Sequence, residues 1–287
     1  MSDPAIFNEK NAPFPYESGL PCPYREKAHF RGATYNIQLG EKAEEIAEAI
    51  ESNKNLQNCD TIFLQEVEAH FGKVPFARII AENCRFNCVY IAARGEPHNY
   101  AKGICGTHGL ALLTQHRVEN LEEIVLPVYD LGTKTRRRIC MTCKVMHPNG
   151  KFVRTYNMHL DTRMDTRFRI NQLAAAVRHA NQFRQERILL GGDLNITNFH
   201  GWKLKWIPTR FGSQRFGQDG IDTYMEKSGF AHPDFTKSDF SMPLGRQLPD
   251  ALYSKNMEFV CWGIEHKIKS NGGHISDHDP IWADLAW

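Results

Sequence analysis

The segment that points most directly to the fold is "SDHDPIWADLAW" (276–287), in which Asp and His come directly before an apolar stretch. From Ile281 onward every second residue is apolar, which is the pattern of a half-buried strand. Pro280 cannot donate a hydrogen bond to a neighbouring strand, so it marks the beginning of this one. We therefore expect Asp277 and His278 on a loop that a buried strand anchors, a common place for chemistry. Taken alone, the segment also fits a solvated turn.

The composition is that of a globular protein with a large core. The chain has 287 residues, 41% of them hydrophobic, and no apolar stretch is long enough to cross a bilayer. Since no linker, repeat or low-complexity segment divides it, we expect a Pro-rich lead over residues 1–27 and a single domain over 28–287. The formal net charge of +2 is too small to indicate a polyanionic partner, which only local patches can reveal.

The lead and the cysteines indicate the compartment. The lead is mixed in charge and lacks the basic and then apolar regions of a secretory signal, so we expect a cytoplasmic, reducing location. Eight cysteines scattered over this length do not resemble a small disulfide scaffold, and most should be free thiols. "CMTC" (140–143) has the spacing of half a zinc site, but it lies in an expected strand, where residues three apart face opposite sides.

Hydrophobic periodicity predicts a mixture of strands and helices. Residues 41–53 carry an apolar stripe at helical spacing. The residues after Asp165 carry another, which begins with Phe168 and continues to Ala180. Strands are expected at 29–37, 60–67, 86–93, 109–114, 121–127, 137–145, 151–160, 187–194, 251–254, 259–264 and 281–287, and further helices at 72–84 and 216–230. The second of these helices should end at Gly229, and "HPNG" (147–150) predicts a hairpin turn. Runs of strands interrupted by helices favour two packed sheets with helices outside over a purely parallel α/β repeat.

Polar side chains recur at the ends of these strands, where a sheet edge can gather residues from distant parts of the sequence. They are Asn36, Glu66, His159, Asp161, Asp193, Asn195, Asp250, Asp277 and His278. Carboxylate and amide oxygens suit Mg²⁺ or Mn²⁺, and an ion held among them would neutralise charge on a phosphoryl oxygen. We therefore expect a phosphate ester as substrate. His278, oriented by Asp250, would stabilise or protonate the phosphorane, while Asp193 aligns the attacking water.

Several of these residues have a structural explanation when taken alone. Asn36 fits a turn cap, and Glu66 fits a helix cap or a surface acid. The sequence "GGDLN" (191–195) is harder to explain in this way, because two glycines after an apolar strand leave room for a ligand. A tight turn is the alternative interpretation.

Five short motifs occur in the order "TYNI" (34–37), "FLQEV" (63–67), "MHLD" (158–161), "GGDLN" (191–195) and "SDHDP" (276–280). Together they resemble the endonuclease/exonuclease/phosphatase superfamily, with its deoxyribonuclease I-like fold, over about residues 34 to 285. The resemblance implies an α/β fold, namely a four-layer α/β/β/α sandwich of two mixed, mainly antiparallel sheets with outer helices. It also implies one or two Mg²⁺ ions, for which Mn²⁺ is a substitute.

The resemblance further implies a role for each motif residue. The metal ligands would be Asn36, Glu66 and Asp277. The catalytic residues would be His159 at the scissile phosphate, Asp193 at the water, Asn195 at a phosphate oxygen, and His278 with its partner Asp250. Substrate contacts are expected from His108 and from "HLDTRMDTRFRINQL" (159–173), which resembles a common bacterial version and contains Asp161 and Arg163.

The sequence departs from the family pattern at two positions. Gln38 stands where some nucleases carry an acidic metal ligand, which argues against a second metal position. Leu110 stands where many relatives have asparagine, so a phosphate contact from this strand is not expected. His108 either replaces that contact or has a structural role.

The choice of substrate depends on the loops. The insert 198–217 interleaves basic and aromatic residues, among them Trp202 and Trp206, which we expect to contact substrate. Such a segment can stack bases and follow a nucleic-acid backbone, anchor a peripheral enzyme on lipid, or simply cover the core. The basic residues at 134–138 lead into a strand and fit a solvated strand entrance better than a nucleic-acid contact.

Three hypotheses about function remain at this point. The leading one is a Mg²⁺-dependent phosphodiesterase of nuclease type that acts on nucleic acid. The alternative is a lipid-directed phosphoesterase of the sphingomyelinase or phosphoinositide phosphatase type, which would bind a lipid headgroup. The third is a non-catalytic binding module, against which the intact acids argue because buried acids without a cation cost free energy.

Overall fold

A computed structural model describes residues 14–16, 29–70, 73–99, 104–130, 137–196, 217–236, 239–243, 247–266, 269–270 and 273–287. The strands among these residues are β1 (Phe14–Tyr16), β2 (His29–Leu39), β3 (Thr61–His70), β4 (Asn87–Asn99), β5 (Ile104–Thr114), β6 (Arg117–Val125), β7 (Ile139–Met146), β8 (Phe152–His159), β9 (Ile188–Asp193), β10 (Asp250–Lys255), β11 (Glu258–Ile264), β12 (Lys269–Ser270), β13 (Gly273–His274) and β14 (Ile281–Ala286). The α-helices are α1 (Ala43–Ser52), α2 (Lys54–Gln57), α3 (Phe76–Cys84), α4 (Thr166–Ala180) and α5 (Gly217–Lys227). A 3-10 helix (Asn181–Phe183) follows α4.

The described strands form two large sheets. One sheet has the order β1-β4-β5-β3-β2-β14-β11, the other has the order β10-β9-β8-β7-β6, and β12 and β13 form a separate short hairpin. Large-sheet neighbours are antiparallel except for the parallel pairs β2–β3 and β8–β9. Helices α1 and α2 connect the first parallel pair and α4 connects the second, because parallel neighbours need a crossover connection. The expectation of two mixed, mainly antiparallel sheets is confirmed.

Side chains on the central strands alternate between the two faces of each sheet, and this gives the fold four layers. On β3, Leu64 packs with residues of α1 and α3, whereas Phe63 packs between the two sheets. On β9, Leu190 packs with residues of α4 and α5, whereas Leu189 packs between the sheets. Successive strand residues face opposite sides, so both sheets bury both faces and the helices lie outside. The α/β/β/α sandwich is therefore confirmed.

Helix α4 connects this core to the strand ends. The side chain of Asp165 accepts a hydrogen bond from the Phe168 backbone at 3.1 Å and begins the helix. Sequence periodicity placed Phe168 in the buried stripe, but it is half-buried against Tyr129, with ring centroids 4.6 Å apart. Arg169 is buried beside it, and its Nε donates to the backbone oxygen of Asp161 at 3.2 Å. The helix thus holds the chain that follows β8.

The cysteines whose side chains the structure describes are free thiols, as expected for most of the eight: Cys59, Cys84, Cys88, Cys140, Cys143 and Cys261. Cys140 packs in the layer of α4, whereas Cys143 packs between the sheets, so the two thiols of "CMTC" lie on opposite faces of β7. Burial raises the pKa of both thiols. The zinc interpretation of this pair is therefore not supported.

Among the helices in the described part of the chain, none is both long and apolar enough to cross a membrane. The lead over residues 1–27 and the single domain over 28–287 stay predictions.

Candidate active site

The second sheet brings three of the expected site residues into one row. His159 ends β8, Asp193 ends β9 and Asp250 begins β10. The strand register pairs His159 with Asp193 and Asp193 with Asp250, so the three residues occupy neighbouring positions at one edge of the sheet. This alignment depends on register, which sequence periodicity does not specify between distant strands.

Asp193 is held by groups from both sheets. Its Oδ2 accepts a hydrogen bond from Asn36 Nδ2 on β2 at 2.8 Å, and its Oδ1 accepts one from the Asn195 backbone at 2.8 Å. His159 Nε2 lies 3.4 Å from the same Oδ2. Burial raises the pKa of Asp193 to about 7, against the opposing effect of His278. A fixed carboxylate with a pKa near neutrality suits a group that accepts a proton from water.

His278 lies on the loop before β14 and pairs with Asp250. Its Nδ1 is 2.8 Å from Asp250 Oδ2, and Ser241 Oγ donates to the same oxygen at 2.5 Å. Burial lowers the pKa of His278, but the charge and hydrogen bond of Asp250 outweigh that effect and raise it to about 10. The loop is fixed because Ser276 Oγ donates to the Asn36 backbone oxygen at 2.7 Å. The imidazole is therefore charged and oriented toward its site at neutral pH.

The backbone is distorted where β2 and β3 reach the site. The β2–β3 register shifts between Asn36 and Leu39, and the β3–β5 register shifts between Leu64 and Val67. Beside these shifts, Gln38 has a φ of 46° and Glu66 a φ of 55°, a left-handed conformation that non-glycine residues rarely adopt. Such strain is common at functional sites, where it redirects a side chain.

Glu66 adds a carboxylate beside this row. Its Oε1 lies 4.0 Å from His159 Nε2. Burial raises the pKa of Glu66, and the negative charge of Asp277 raises it further. Asp277 itself is exposed. One ligand atom from each of Asp193, Asp250 and His278 also lies within 4.8 Å of the others, so acidic groups gather here in a way that a cation would stabilise.

Asp161 and Arg163 form an ion pair just after the end of β8. Arg163 donates to the two Asp161 carboxylate oxygens at 2.9 Å (Nε) and 2.5 Å (Nη2), and its backbone nitrogen donates at 3.0 Å. Burial raises the pKa of Asp161, but the bonds from Arg163 outweigh it and hold the pKa below its usual value. Asp161 is fully buried and Arg163 is partly exposed. Asn195, the remaining motif residue of this edge, donates from Nδ2 to the Leu160 backbone oxygen at 2.9 Å.

His108 and Arg138 line a small recess next to His159. The His108 and His159 rings are 6.4 Å apart, and both histidines are buried. Arg138 is only 6% exposed, so the interpretation of 134–138 as a solvated strand entrance is wrong for this residue. It lowers the pKa of both Glu66 and Asp161, which places a positive charge near the acids. A sequence signal existed, because Arg138 lies within the strand expected over 137–145.

A polar network that the sequence did not reveal joins the two sheets beneath the site. Gln65 Nε2 on β3 donates to Asn157 Oδ1 on β8 at 2.8 Å. Asn157 Nδ2 donates back to the backbone oxygens of Ala111 at 2.8 Å and Leu64 at 3.1 Å. These buried amides are satisfied by partners across the sandwich, so they fix the two sets of strand ends relative to each other.

The expected residues thus fall into two groups. Trp202, Trp206 and the insert 198–216 lie outside the described residues. The remaining expected residues all lie at this end of the strands: Asn36, Glu66, His108, His159, Asp161, Arg163, Asp193, Asn195, Asp250, Asp277 and His278.

Comparisons with known proteins identify the family and the fold. A family model described as "Endonuclease/Exonuclease/phosphatase family" matches residues 33–278. A search of curated proteins finds no match. An endonuclease/exonuclease/phosphatase from Beutenbergia cavernae DSM 12333 superposes with a TM-score of 0.67 at 19% identity, covering 91% of this chain and 72% of that one.

Two further solved structures show the same fold. The human Nocturnin catalytic domain with bound sulfate has a TM-score of 0.63 at 15% identity, over 90% of this chain and 93% of that one. D. rerio TDP2 complexed with single strand DNA product has a TM-score of 0.59 at 13% identity, over 90% and 99%.

Proposed function

Because this chain belongs to the endonuclease/exonuclease/phosphatase family, we propose that it is a metal-dependent phosphodiesterase of nuclease type. The family name covers three kinds of enzyme that break phosphate-ester bonds, so the chain is placed among phosphoesterases. The observation that carries the proposal is the row of His159, Asp193 and Asp250, completed by His278. A buried carboxylate between two histidines supplies a proton acceptor and two groups that can bind phosphate oxygens.

The donor set fits Mg²⁺, with Mn²⁺ as a substitute. Asn36, Glu66 and Asp277 offer amide and carboxylate oxygens, which hard divalent cations prefer. Burial raises the pKa of Glu66 and the charge of Asp277 raises it further, and a cation bound between these acids would offset both effects. When bound, the ion would polarise a phosphoryl oxygen and neutralise charge that develops there.

The protein's own residues would perform the remaining work of hydrolysis. Asp193, fixed by Asn36 and the Asn195 backbone, would orient a water molecule and accept its proton as the oxygen attacks phosphorus. His278, held by Asp250, would donate a hydrogen bond to a phosphate oxygen that gains charge. The bond from phosphorus to the leaving oxygen then breaks on the opposite side, the leaving oxygen keeps the electron pair and takes a proton from solvent, and Asp193 returns its proton to solvent.

The residues beside this row would bind the rest of the phosphate. His159 would contact the scissile phosphate, as the family resemblance implies, and Asn195 would hold a phosphate oxygen. Arg163 is better suited than Asp161 to touch substrate, because Asp161 is buried beneath it and both of its oxygens accept bonds from Arg163. Asp161 would then orient Arg163.

A nucleic acid is the proposed substrate. The basic and aromatic residues of the insert, including Trp202 and Trp206, favour it in the sequence. D. rerio TDP2, which has the same fold, was solved with a single strand DNA product. A lipid headgroup is the other outcome that the test below distinguishes, and a cytoplasmic location stays a prediction.

The test is hydrolysis of a panel that contains single- and double-stranded DNA, RNA, and liposomes of sphingomyelin or phosphoinositide. Each substrate is incubated with Mg²⁺, with Mn²⁺ and with EDTA. We expect nucleic acid to be cleaved in a metal-dependent manner. The His278→Ala variant should lose about 100- to 10,000-fold in turnover, because a group that stabilises the transition state is removed.

The matched control is His274→Ala, which removes an exposed imidazole in β13, four residues before His278. It should retain turnover, and thermal unfolding should show that both variants are folded. If the protein cleaves the liposome substrates and no nucleic acid, the lipid-directed phosphoesterase is the correct alternative. A folded wild-type protein that cleaves no member of the panel with either metal would contradict the proposed activity and favour a binding module.

A further inference from the structure

A second group of metal-ligating side chains lies at the opposite end of the sandwich. Asp60 directly precedes β3, His116 follows β5 and His147 follows β7. Asp60 is six residues before Glu66 along the chain, so the group is roughly 20 Å from the candidate active site at the usual rise of a strand. It therefore cannot share a ligand with that site.

The three side chains are buried and close together. Their exposed fractions are 1% for Asp60, 7% for His116 and 1% for His147. Asp60 Oδ1 lies 2.8 Å from His116 Nε2 and 4.0 Å from His147 Nε2. One ligand atom of each residue lies within 4.8 Å of the others. Burying two imidazoles and a carboxylate costs free energy unless they bind one another or a common partner.

The surrounding backbone holds this group in place. Asp60 Oδ2 accepts a hydrogen bond from the Arg31 backbone at 2.7 Å, so Oδ1 is directed at the histidines. Thr114 Oγ1 donates to the Asp60 backbone oxygen at 2.7 Å and accepts from the His116 backbone at 3.2 Å. Trp287 packs on His147 with ring centroids 4.9 Å apart. Two ligands of such a site are thus positioned by hydrogen bonds and the third by packing.

We propose that Asp60, His116 and His147 form a binding site for a transition metal of the Zn²⁺ type. Two imidazole nitrogens and one carboxylate oxygen suit Zn²⁺, Co²⁺ or Ni²⁺, whereas Mg²⁺ prefers oxygen alone. Tetrahedral zinc with bonds of about 2.0 to 2.2 Å places its ligand atoms roughly 3.3 to 3.5 Å apart. The distance from Asp60 Oδ1 to His116 Nε2 (2.8 Å) is shorter than that spacing, and the distance from Asp60 Oδ1 to His147 Nε2 (4.0 Å) is longer. Small side-chain rotations would therefore complete the site. The fourth position would take a water molecule.

Binding has one further structural consequence. The Asn149 backbone nitrogen lies 3.4 Å from His147 Nδ1, a long contact in the turn after β7. A metal on Nε2 favours a proton on Nδ1, so the Asn149 amide must turn away. The amide resonance of Asn149 therefore reports on occupation of this site and not of the candidate active site.

The test loads the full chain with Zn²⁺ or Co²⁺ in Mg²⁺-containing buffer and measures the metal retained after gel filtration. The wild-type protein should hold about one equivalent of Zn²⁺ at this site. A variant that disables the candidate active site, Asp193→Asn with His278→Gln, should retain that equivalent. Both His147→Gln and His116→Gln should bind at least about 100-fold more weakly, because each loses a ligand.

If the His147→Gln and His116→Gln variants do not fold, two other measurements test the metal site. Bound Co²⁺ should quench the fluorescence of Trp287, with Trp287→Phe as the control for the remaining tryptophans. Zn²⁺ should shift the Asn149 amide in the Asp193→Asn/His278→Gln protein. The proposal is overturned if the wild type holds no zinc, if the active-site variant loses it, or if Asn149 does not respond. Zinc that survives both His147→Gln and His116→Gln also overturns it, and the trio is then a purely structural hydrogen-bonded group.

Discussion

Replacing Asp250 by asparagine should lower the pKa of His278 and disable it. Burial lowers the pKa of His278, but the Asp250 carboxylate, 2.8 Å from Nδ1, outweighs that effect and raises the pKa from 6.5 to about 10. A hydrogen bond to a charged group contributes about 1.5 to 3 kcal/mol, and one pKa unit corresponds to about 1.4 kcal/mol. Asp250→Asn should therefore lower the pKa of His278 by at least about 1 to 2 units.

The assay is an NMR titration of the histidine ring in EDTA, which needs no substrate. Because the pKa of the folded state exceeds that of the unfolded state, His278 contributes stability that is present below about pH 6.5 and is lost as the pH rises toward 10. Asp250→Asn should shrink that pH-dependent contribution. On an active substrate, it should also reduce kcat/KM by about 100- to 10,000-fold through loss of orientation.

The matched control is Ser241→Ala, which removes the neutral donor to the same Asp250 oxygen but keeps the charge. It should leave the pKa of His278 unchanged or slightly higher. The reasoning is refuted if folded Asp250→Asn titrates His278 within a few tenths of a unit of the wild type, because the carboxylate then contributes little to the charge on the imidazole.

Three further predictions concern other parts of the chain. Arg138→Gln should lower kcat/KM by about 10- to 100-fold, since a buried cation beside the acids should bind substrate phosphate, and steady-state kinetics measures this. Glu186→Gln should lower the free energy of unfolding by about 2 to 3 kcal/mol in urea, because the buried Arg154 guanidinium loses the carboxylate at 2.6 Å and retains the more distant Glu122 carboxylate at 3.8 Å. That loss should shrink as the pH falls below about 4.5, since Arg154 holds the pKa of Glu186 below that value and protonation breaks the same pair in the wild type. Gly192→Ala should cost at least about 2 kcal/mol in the same assay, because φ is 138° and a Cβ atom would lie 1.9 Å from the Met158 oxygen.

Each of these changes has a matched control. Arg137→Gln removes a neighbouring arginine that contacts the Ala93 backbone oxygen and Glu123, and it should leave kinetics nearly unchanged. Glu82→Gln removes an exposed i,i+4 pair and should cost less than about 0.5 kcal/mol. Gly150→Ala adds a Cβ atom in open space at a φ of 80°, so it should cost only about 1 kcal/mol. Equal losses in a variant and its control would contradict the corresponding explanation.

Comparison with the described strands and helices shows which features the sequence patterns predicted correctly. The helix over 41–53 was expected to bury one stripe, and Ala43, Ile46, Ala47 and Ile50 are indeed its buried residues. The turn at 147–150 and the helix end near Gly229 were also expected, and both occur with a glycine at positive φ. These features are local: a periodic stripe or a turn residue determines its own conformation whatever lies across the core.

The sequence predicted which residues belong to the candidate site, but it did not predict how they are arranged in space. Motifs at strand ends identified Asn36, Asp193 and His278, and the order of the motifs identified the family. Their chemical roles stay predictions. Phe168 and Arg138 show what sequence neighbours could not predict, namely how far each side chain is buried. Phe168 packs against Tyr129. Arg138 lines the recess beside His159.

The sequence by itself therefore determined the longer helices and strands, the two-sheet architecture and the set of polar residues at strand ends. The short elements β1, α2, β12 and β13 were not predicted. Only the tertiary structure decided that Asn36 of one sheet donates to Asp193 of the other and that Asp60 meets His116 and His147 at the far end. The physical reason is that side-chain periodicity records burial along one element, whereas register and layer packing depend on contacts between residues far apart in the chain.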